Sequence, residues 1–298
     1  MKTNPNWKIH WPVQNLTALA AALLLFSSGA IAETLHVPAE NSGDREKRTE
    51  RLTQLRRLPA TCPHDLTIFK LPDEHPLALS YYLYQPEPAA LLKGVRLPLV
   101  VVLHHAGAEQ RLADVLICNP ESIGRWLEPE VRRAHPCYVV APWSGGRHWE
   151  EGKWNTITPA AGTPGENARL VLALVEQMVR DLPIDAGRIY LVGQSMGAFG
   201  VWDLLERRPD LFAAAIPVCG GGDPAQVGRI KDMPIWAFHG DVDTVIPVER
   251  TRAMAAALEA TGSRVFRYWE YPGADHDPCS ERAWTEPRLA DWLFSQKR

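Results

Sequence analysis

Gly193-Gln194-Ser195-Met196-Gly197 is the part of the chain best suited to carry chemistry. It follows the apolar run Arg188-Ile189-Tyr190-Leu191-Val192 and precedes the helical pattern GAFGVWDLLERR. A G-x-S-x-G between strand and helix is a nucleophile elbow, in which a tight turn exposes the Ser hydroxyl at the C-terminal edge of a sheet. Side chains beside the Ser would clash in so sharp a turn, which accounts for Gly at both flanks. The helix that starts there favours developing negative charge at its N-terminus. A Ser hydroxyl attacks a carbonyl only when a base takes its proton.

In elbows of this kind the acid and base follow in the chain order Ser, acid, His. Downstream of Ser195 stand two histidines, His239 and His276. His276 lies in the loop YPGADHDPCS and is read as the base, while His239 ends the apolar run IWAFH and is expected to pack or bond near the acid loop. The acid belongs just after that run, where Asp241 and Asp243 both qualify on position; Asp277, adjacent to His276, is a third candidate that would ordinarily point elsewhere. An acid in this position would hold one imidazole tautomer and stabilise its charged form. Two backbone N–H groups complete the set as an oxyanion hole: Met196, after the nucleophile, and Ala106, in the His104-His105-Ala106-Gly107-Ala108 segment. Adjacent histidines at a strand end point to opposite faces, and no third ligand accompanies His104 and His105, so no metal is assigned. No organic cofactor is implied either.

The elements needed to position these groups follow from periodicity. Strands are predicted at 65–70, 78–85, 98–104, 137–141, 188–193, 213–219, 235–239 and 265–270. The runs PLVVVLH, IYLVG and IWAFH are nearly continuous apolar, as in strands buried on both faces. Helices are predicted at 166–182, 196–207, 248–258 and 288–294, the first from apolar residues at 170, 171, 174, 175, 178, 179 and 182. Strands alternating with helices imply an α/β fold, a mostly parallel eight-stranded sheet with helices on both faces. The first two strands have no helix between them and suit an antiparallel start. Residues 142–165 form a long connection at the C-terminal edge of the sheet, where Trp143, Trp149 and Trp154 could line a substrate subsite or simply pack the loop onto the body.

Three stretches organise the chain. Residues 1–32 read as a signal peptide, with Lys2 and Lys8, the apolar run LTALAAALLLF and a small-residue A-x-A ending before Glu33. Residues 33–63 read as a polar lead, either flexible or a surface helix from about Asp44 to Leu58. Residues 64–298 hold the catalytic domain. Export to the periplasm or medium is therefore expected, with no stable membrane insertion once the signal is removed. The apolar run is shorter than a membrane span, which needs about 20 residues. A net charge of −3 and no basic stripe argue against a nucleic-acid partner. Five cysteines in an oxidising compartment suggest a mixture of buried thiols and one or two bridges, with at least one Cys left over.

The segments LPLVVVLHHAGAE, HPCYVVAP, RIYLVGQSMGAFGVWDLLERRPDLFAAAIPVCGGGD, PIWAFHGDVDTVIPVERT and YPGADHDPCSERAW resemble, in order, the α/β-hydrolases. They look most like exported esterases and predicted peptidases related to polyhydroxybutyrate depolymerases and feruloyl esterases. The resemblance covers about residues 64–296. It implies the α/β-hydrolase fold and a Ser195–Asp243–His276 triad, Asp243 being the second Asp of an H-G-x-x-D-x-x-[VI]-P pattern. It also implies hydrolysis of a small or carbohydrate-linked ester through an acyl-enzyme. The loop that usually reads H-G-A-G reads His104-His105-Ala106-Gly107 here. A serine peptidase of the prolyl-oligopeptidase type would use the same triad, but the 33–63 segment is too short to be its propeller domain. Polyester depolymerisation remains open, without a separate polymer-binding module.

Overall fold

The apolar runs assemble into one sheet in which the strand carrying Ser195 is central. A computed structural model describes residues 33–36, 41–70, 78–87, 90, 94–108, 120–144 and 165–298. All but two of the contacts between its strands' neighbours are parallel. The order is β1-β9-β8-β7-β6-β4-β5-β3-β2. The strands are β1 (Glu33–His36), β2 (Asp65–Lys70), β3 (Ala78–Tyr84), β4 (Leu97–Leu103), β5 (Tyr138–Pro142), β6 (Ile184–Gln194), β7 (Ala214–Val218), β8 (Ile235–Gly240) and β9 (Phe266–Tyr271). The antiparallel contacts are β2 with β3 and β3 with β5, matching the antiparallel start expected where no helix intervenes. All eight expected strands are present. The ninth, β1, adds to the far edge in parallel with β9; its sequence ETLH has no apolar run to mark it.

Helices cover both faces. They are α1 (Ser42–Thr61), α2 (Pro120–Leu127), α3 (Pro129–Ala134), α4 (Glu166–Asp181), α5 (Met196–Arg207), α6 (Glu249–Ala260), α7 (His276–Trp284) and α8 (Leu289–Ser295). Strand β4 shows why two layers form. Its residues are buried throughout, and alternate side chains enter opposite cores. Leu99, Val101 and Leu103 meet the core that contains Leu170, Leu174 and Trp202 of α4 and α5. Val100 and Val102 meet the core of Ile123, Trp126, Trp284 and Leu293, from α2, α7 and α8. Each such aliphatic side chain stabilises the fold by about 1.5–3 kcal/mol relative to leaving it exposed.

The stretch expected as a polar lead contains β1 and α1. Asn41 caps α1 by accepting from the Asp44 N–H at 2.9 Å. The helix is tied to the body: Arg51 pairs with Glu128, Arg48 with Glu281, and Arg56 with both Glu121 and Glu281. Leu52 and Leu55 are buried beneath it, and a side chain on Gly124 of α2 would run into the Leu55 carbonyl. Among the described residues no helix is long and apolar enough to cross a membrane. The expected signal peptide, residues 1–32, lies outside the described residues.

Candidate active site

Ser195 occupies the junction of β6 and α5 with φ 54° and ψ −121°, a left-handed conformation rarely tolerated by a residue with a side chain. Such strain persists only where surrounding contacts enforce it. The Ser195 N–H donates to Val218 O of β7 at 2.8 Å, and Ser195 O accepts from the Ala198 N–H at 2.9 Å. The flanking glycines have a steric reason. A Cβ on Gly197 would collide with the Leu103 carbonyl of β4, and one on Gly193 would lie 2.7 Å from Gly197 backbone atoms. Gln194, between Gly193 and Ser195, accepts a hydrogen bond from the Trp284 indole at 2.7 Å, linking the elbow to the far end of α7.

His276 is the first residue of α7. Its Nδ1 lies 2.7 Å from Asp243 Oδ2. Of the three carboxylates open on sequence position, Asp243 is therefore the one hydrogen-bonded to His276. Asp241 instead accepts from the Gly273 N–H at 2.6 Å, and Asp277 stands exposed in the first turn of α7. The other Asp243 oxygen, Oδ1, accepts from the N–H groups of Val245 at 2.9 Å and Ile246 at 2.8 Å. Burial pushes the Asp243 carboxyl up, but these donors and His276 outweigh it and hold the group below its ordinary value. Asp275 clamps the acid loop onto the histidine loop: it accepts from the N–H and hydroxyl of Thr244 at 2.8 and 2.9 Å and from the His276 N–H at 2.8 Å.

Burial by itself lowers the His276 imidazole; contacts with Cys219 and Asp243 outweigh it, and the net shift is upward, to about 9. The Cys219 thiol is itself pushed well up by burial and stays neutral, so the charge that supports the imidazolium is that of Asp243. Cys219 follows Val218 directly, also with positive φ, at 55°, and its Sγ approaches His276 O at 3.8 Å. The end of β7 thus touches both Ser195 and His276.

The predicted oxyanion donors sit on adjacent elements. Met196 is the first residue of α5, so its N–H has no acceptor within the helix. Ala106 opens the short 3-10 turn Ala106–Ala108 just after β4. The double histidine before it is divided. His105 accepts from the Gly107 N–H at 3.0 Å, whereas His104 is buried and accepts from the Ser144 N–H at 3.1 Å through Nε2. Its Nδ1 lies 2.8 Å from His105 O, so the neutral Nδ1–H tautomer satisfies both contacts. Asn167 donates to Ser144 O at 2.6 Å. These bonds pin Ser144 between β4 and α4. Trp143 is half-buried against the core that lies on the α7 side of the sheet. Trp149 and Trp154 lie outside the described residues.

Desolvation lowers the His104 pKa to about 4, against 6.5 for an ordinary imidazole. The unfolded chain binds this proton at the higher pH, so His104 favours folding above about pH 6.5, and that contribution is lost as pH falls through 4. We expect roughly 3 kcal/mol of acid destabilisation from this residue. Urea unfolding at pH 7 and pH 4.5 should show a smaller pH difference for His104→Gln than for the unaltered protein; equal differences would contradict the assignment.

Sequence reasoning did not single out Cys219, Asp275 or Thr251 as parts of this site, and it placed His239 only near the acid loop. Cys219, His239 and Asp243 offer ligand atoms within 4.8 Å of one another. His239 and Asp243 are already engaged in hydrogen bonds on both of their polar atoms, so the group reads as a bonded core behind the site. Cys62, Cys137, Cys219 and Cys279 are free thiols, and Cys118 lies outside the described residues.

A nine-stranded, mostly parallel sheet with a strained Ser at the strand–helix elbow is the α/β-hydrolase fold. The family model described as esterase PHB depolymerase matches residues 79–222. A poly(3-hydroxyalkanoate) depolymerase C of Paucimonas lemoignei is 31% identical over 125 residues, which cover 42% of this chain and 28% of the relative. A probable feruloyl esterase C of Aspergillus flavus is 26% identical over 157 residues, 53% of this chain and 54% of the relative. The crystal structure of a thermostable esterase superposes with a TM-score of 0.71 at 33% identity, covering 79% of this chain and 63% of that one. The chain thus spans from about a quarter to about half of the length of these curated relatives.

Proposed function

We propose that this chain is a serine carboxylic-ester hydrolase working through an acyl-enzyme. The observation that carries the reading is the strained Ser195 at the elbow, with the 2.7 Å His276–Asp243 hydrogen bond on the loops that follow β9 and β8. Ser195 Oγ attacks the ester carbonyl as His276 Nε2 takes its proton. The N–H groups of Met196 and Ala106 receive the oxyanion. His276 then gives the proton to the departing alcohol, and a water activated by the same nitrogen releases the acid. Asp243 keeps Nδ1 protonated, leaving Nε2 as the accepting nitrogen. The substrate class is a small or carbohydrate-linked ester, supported by the feruloyl esterase likeness, with Trp143, Trp149 and Trp154 as candidate contacts. A polyester is the second reading, supported by the family match and the depolymerase likeness.

The test is hydrolysis of p-nitrophenyl esters of increasing acyl length, a feruloyl ester and a polyhydroxybutyrate suspension, combined with fluorophosphonate labelling. Ester turnover together with an adduct on the Ser195 peptide supports the mechanism. No turnover, or an adduct on another residue, overturns it. The relative activity on soluble ester and suspension decides between the two substrates. Export is part of the proposal, and the N-terminal sequence of protein recovered outside the cytoplasm is expected to begin at Glu33.

The raised His276 pKa sets the pH dependence. The base must be neutral, so kcat/KM should have its acid limb above the ordinary imidazole value of about 6.5. A limb at or below pH 6 would show that Asp243 does not support the imidazolium as described.

A further inference from the structure

His239 lies behind the acid in the reading above, and nothing in that reaction requires it. It is fully buried at the end of β8, yet both ring nitrogens have polar partners. Nε2 lies 3.0 Å from Ile246 O and 3.3 Å from Asp243 Oδ2, the same oxygen that meets His276. Both neighbours are acceptors only, so Nε2 must carry a hydrogen. Nδ1 lies 2.7 Å from Thr251 Oγ1, and that hydroxyl lies 2.6 Å from Gly220 O. The single hydroxyl hydrogen goes to Nδ1 when the ring is neutral and to Gly220 O when the ring is doubly protonated. Nε2–H is present in both cases.

We propose that His239 is a positioning residue for the hydrolysis: its Nε2–H donates to Ile246 O, fixing the turn whose Ile246 N–H holds Asp243 Oδ1, and the same Nε2 lies 3.3 Å from Asp243 Oδ2, so that it sets the orientation and basicity of the acid. Asp243 accepts three hydrogen bonds, from Val245, Ile246 and His276, and His239 Nε2 stands 3.3 Å from its Oδ2 as a further, longer polar contact. Thr251, from α6, fixes the ring plane of His239. The charged and titratable groups facing His239 are Asp243 from the acid loop, His276 from α7, Glu270 from β9 and Cys219 from the end of β7. Glu270 is bound to Arg252 at 2.8 and 2.7 Å and to the Tyr268 hydroxyl at 2.7 Å, so its charge is already compensated. Asp243 is the carboxylate His239 serves. Burial lowers the pKa of His239, consistent with a neutral ring that donates without adding a positive charge beside the base.

A carboxylate that loses a donor becomes more basic and draws the His276 proton more strongly. His239→Asn keeps a polar atom near Thr251 but cannot reach Asp243. It should lower kcat roughly tenfold to a hundredfold with little change in KM, and move the acid limb of kcat/KM to higher pH. His239→Gln, which can place an amide N–H near the Nε2 position, should recover most of the rate and return the limb. The same shift should appear without substrate: the His276 titration, followed by NMR of imidazole-15N-labelled protein, moves to higher pH in His239→Asn and back in His239→Gln. Should His239→Asn fail to fold, Thr251→Val supplies the comparison, with a smaller shift in the same direction.

The inference rests on the triad reading, and the outcomes separate the two. Wild-type hydrolysis that vanishes in Ser195→Ala, with a His276 titration unmoved by folded His239→Asn or by Thr251→Val, overturns the role of His239 alone. A rate loss with no change in either pH profile also overturns it, since packing by itself would give that result. No ester hydrolysis by the unaltered protein removes the triad reading and this inference with it.

Discussion

Ser195→Ala is expected to lower kcat for ester hydrolysis by at least about 10⁴-fold while leaving the fold intact. The nucleophile and base act as a unit, so loss of the nucleophile forfeits nearly all that the pair contributes, and what remains comes from binding and the oxyanion donors. The fold should survive because the Ser195 backbone, not its hydroxyl, makes the structural bonds, to Val218 O and from Ala198 N–H. Ala meets the same left-handed cost at φ 54° that Ser already bears. The check is kcat on a p-nitrophenyl ester together with the thermal midpoint. A variant with more than about a tenth of the original rate would remove Ser195 from the mechanism.

Asp243→Asn should cost about 10⁴-fold in kcat, for a different reason. The Asn carbonyl oxygen can take over Oδ1 and keep the bonds from Val245 and Ile246 N–H, so the acid loop should hold its shape. The amide nitrogen then faces His276 Nδ1 as a donor. Nδ1 must accept, the proton moves to Nε2, and the nitrogen turned to the nucleophile has no lone pair for the Ser195 proton. The charge that raises His276 is lost as well. The His276 titration should therefore fall from its raised position towards or below the ordinary imidazole value, which NMR can follow separately from the rate. A rate within tenfold of the unaltered protein would return Asp241 or Asp277 to consideration.

The His104–Ser144–Asn167 bonds belong to the frame around the site rather than to the chemistry. They hold the residue at which the chain leaves β5 for the tryptophan-bearing connection, and β4, β5 and α4 meet there. The buried His104 does this only when neutral, because its Nε2 must accept from the Ser144 N–H. The anchor and the proposed catalytic base therefore both work with neutral imidazoles, although burial lowers the pKa of one and Asp243 raises that of the other.

Local pattern in the sequence determined a good deal. Continuous apolar runs identified β4, β6 and β8, since a strand covered on both faces has no polar alternation to confuse with a loop. The 3.6-residue spacing located α4 to within a residue, ending at Asp181 rather than 182. Gly193 and Gly197 marked the elbow because backbone atoms of β4 and α5 crowd both positions, and that demand is visible as composition. Strand β1 was not legible: four residues, ETLH, gain their strand character only by pairing with β9. Nor did local pattern decide which Asp meets His276. Asp241 and Asp243 lie two residues apart in a turn, and their side-chain directions depend on how the loop after β8 folds against the loop after β9, through Asp241 to Gly273 and Thr244 to Asp275. The cluster of His239, Thr251 and Cys219 behind the acid joins β8, α6 and the end of β7, elements brought together by the sheet order, and no spacing along the chain encodes such a meeting. Chemistry-bearing residue types are a local property, whereas the orientation of one carboxylate belongs to the packing of several distant segments.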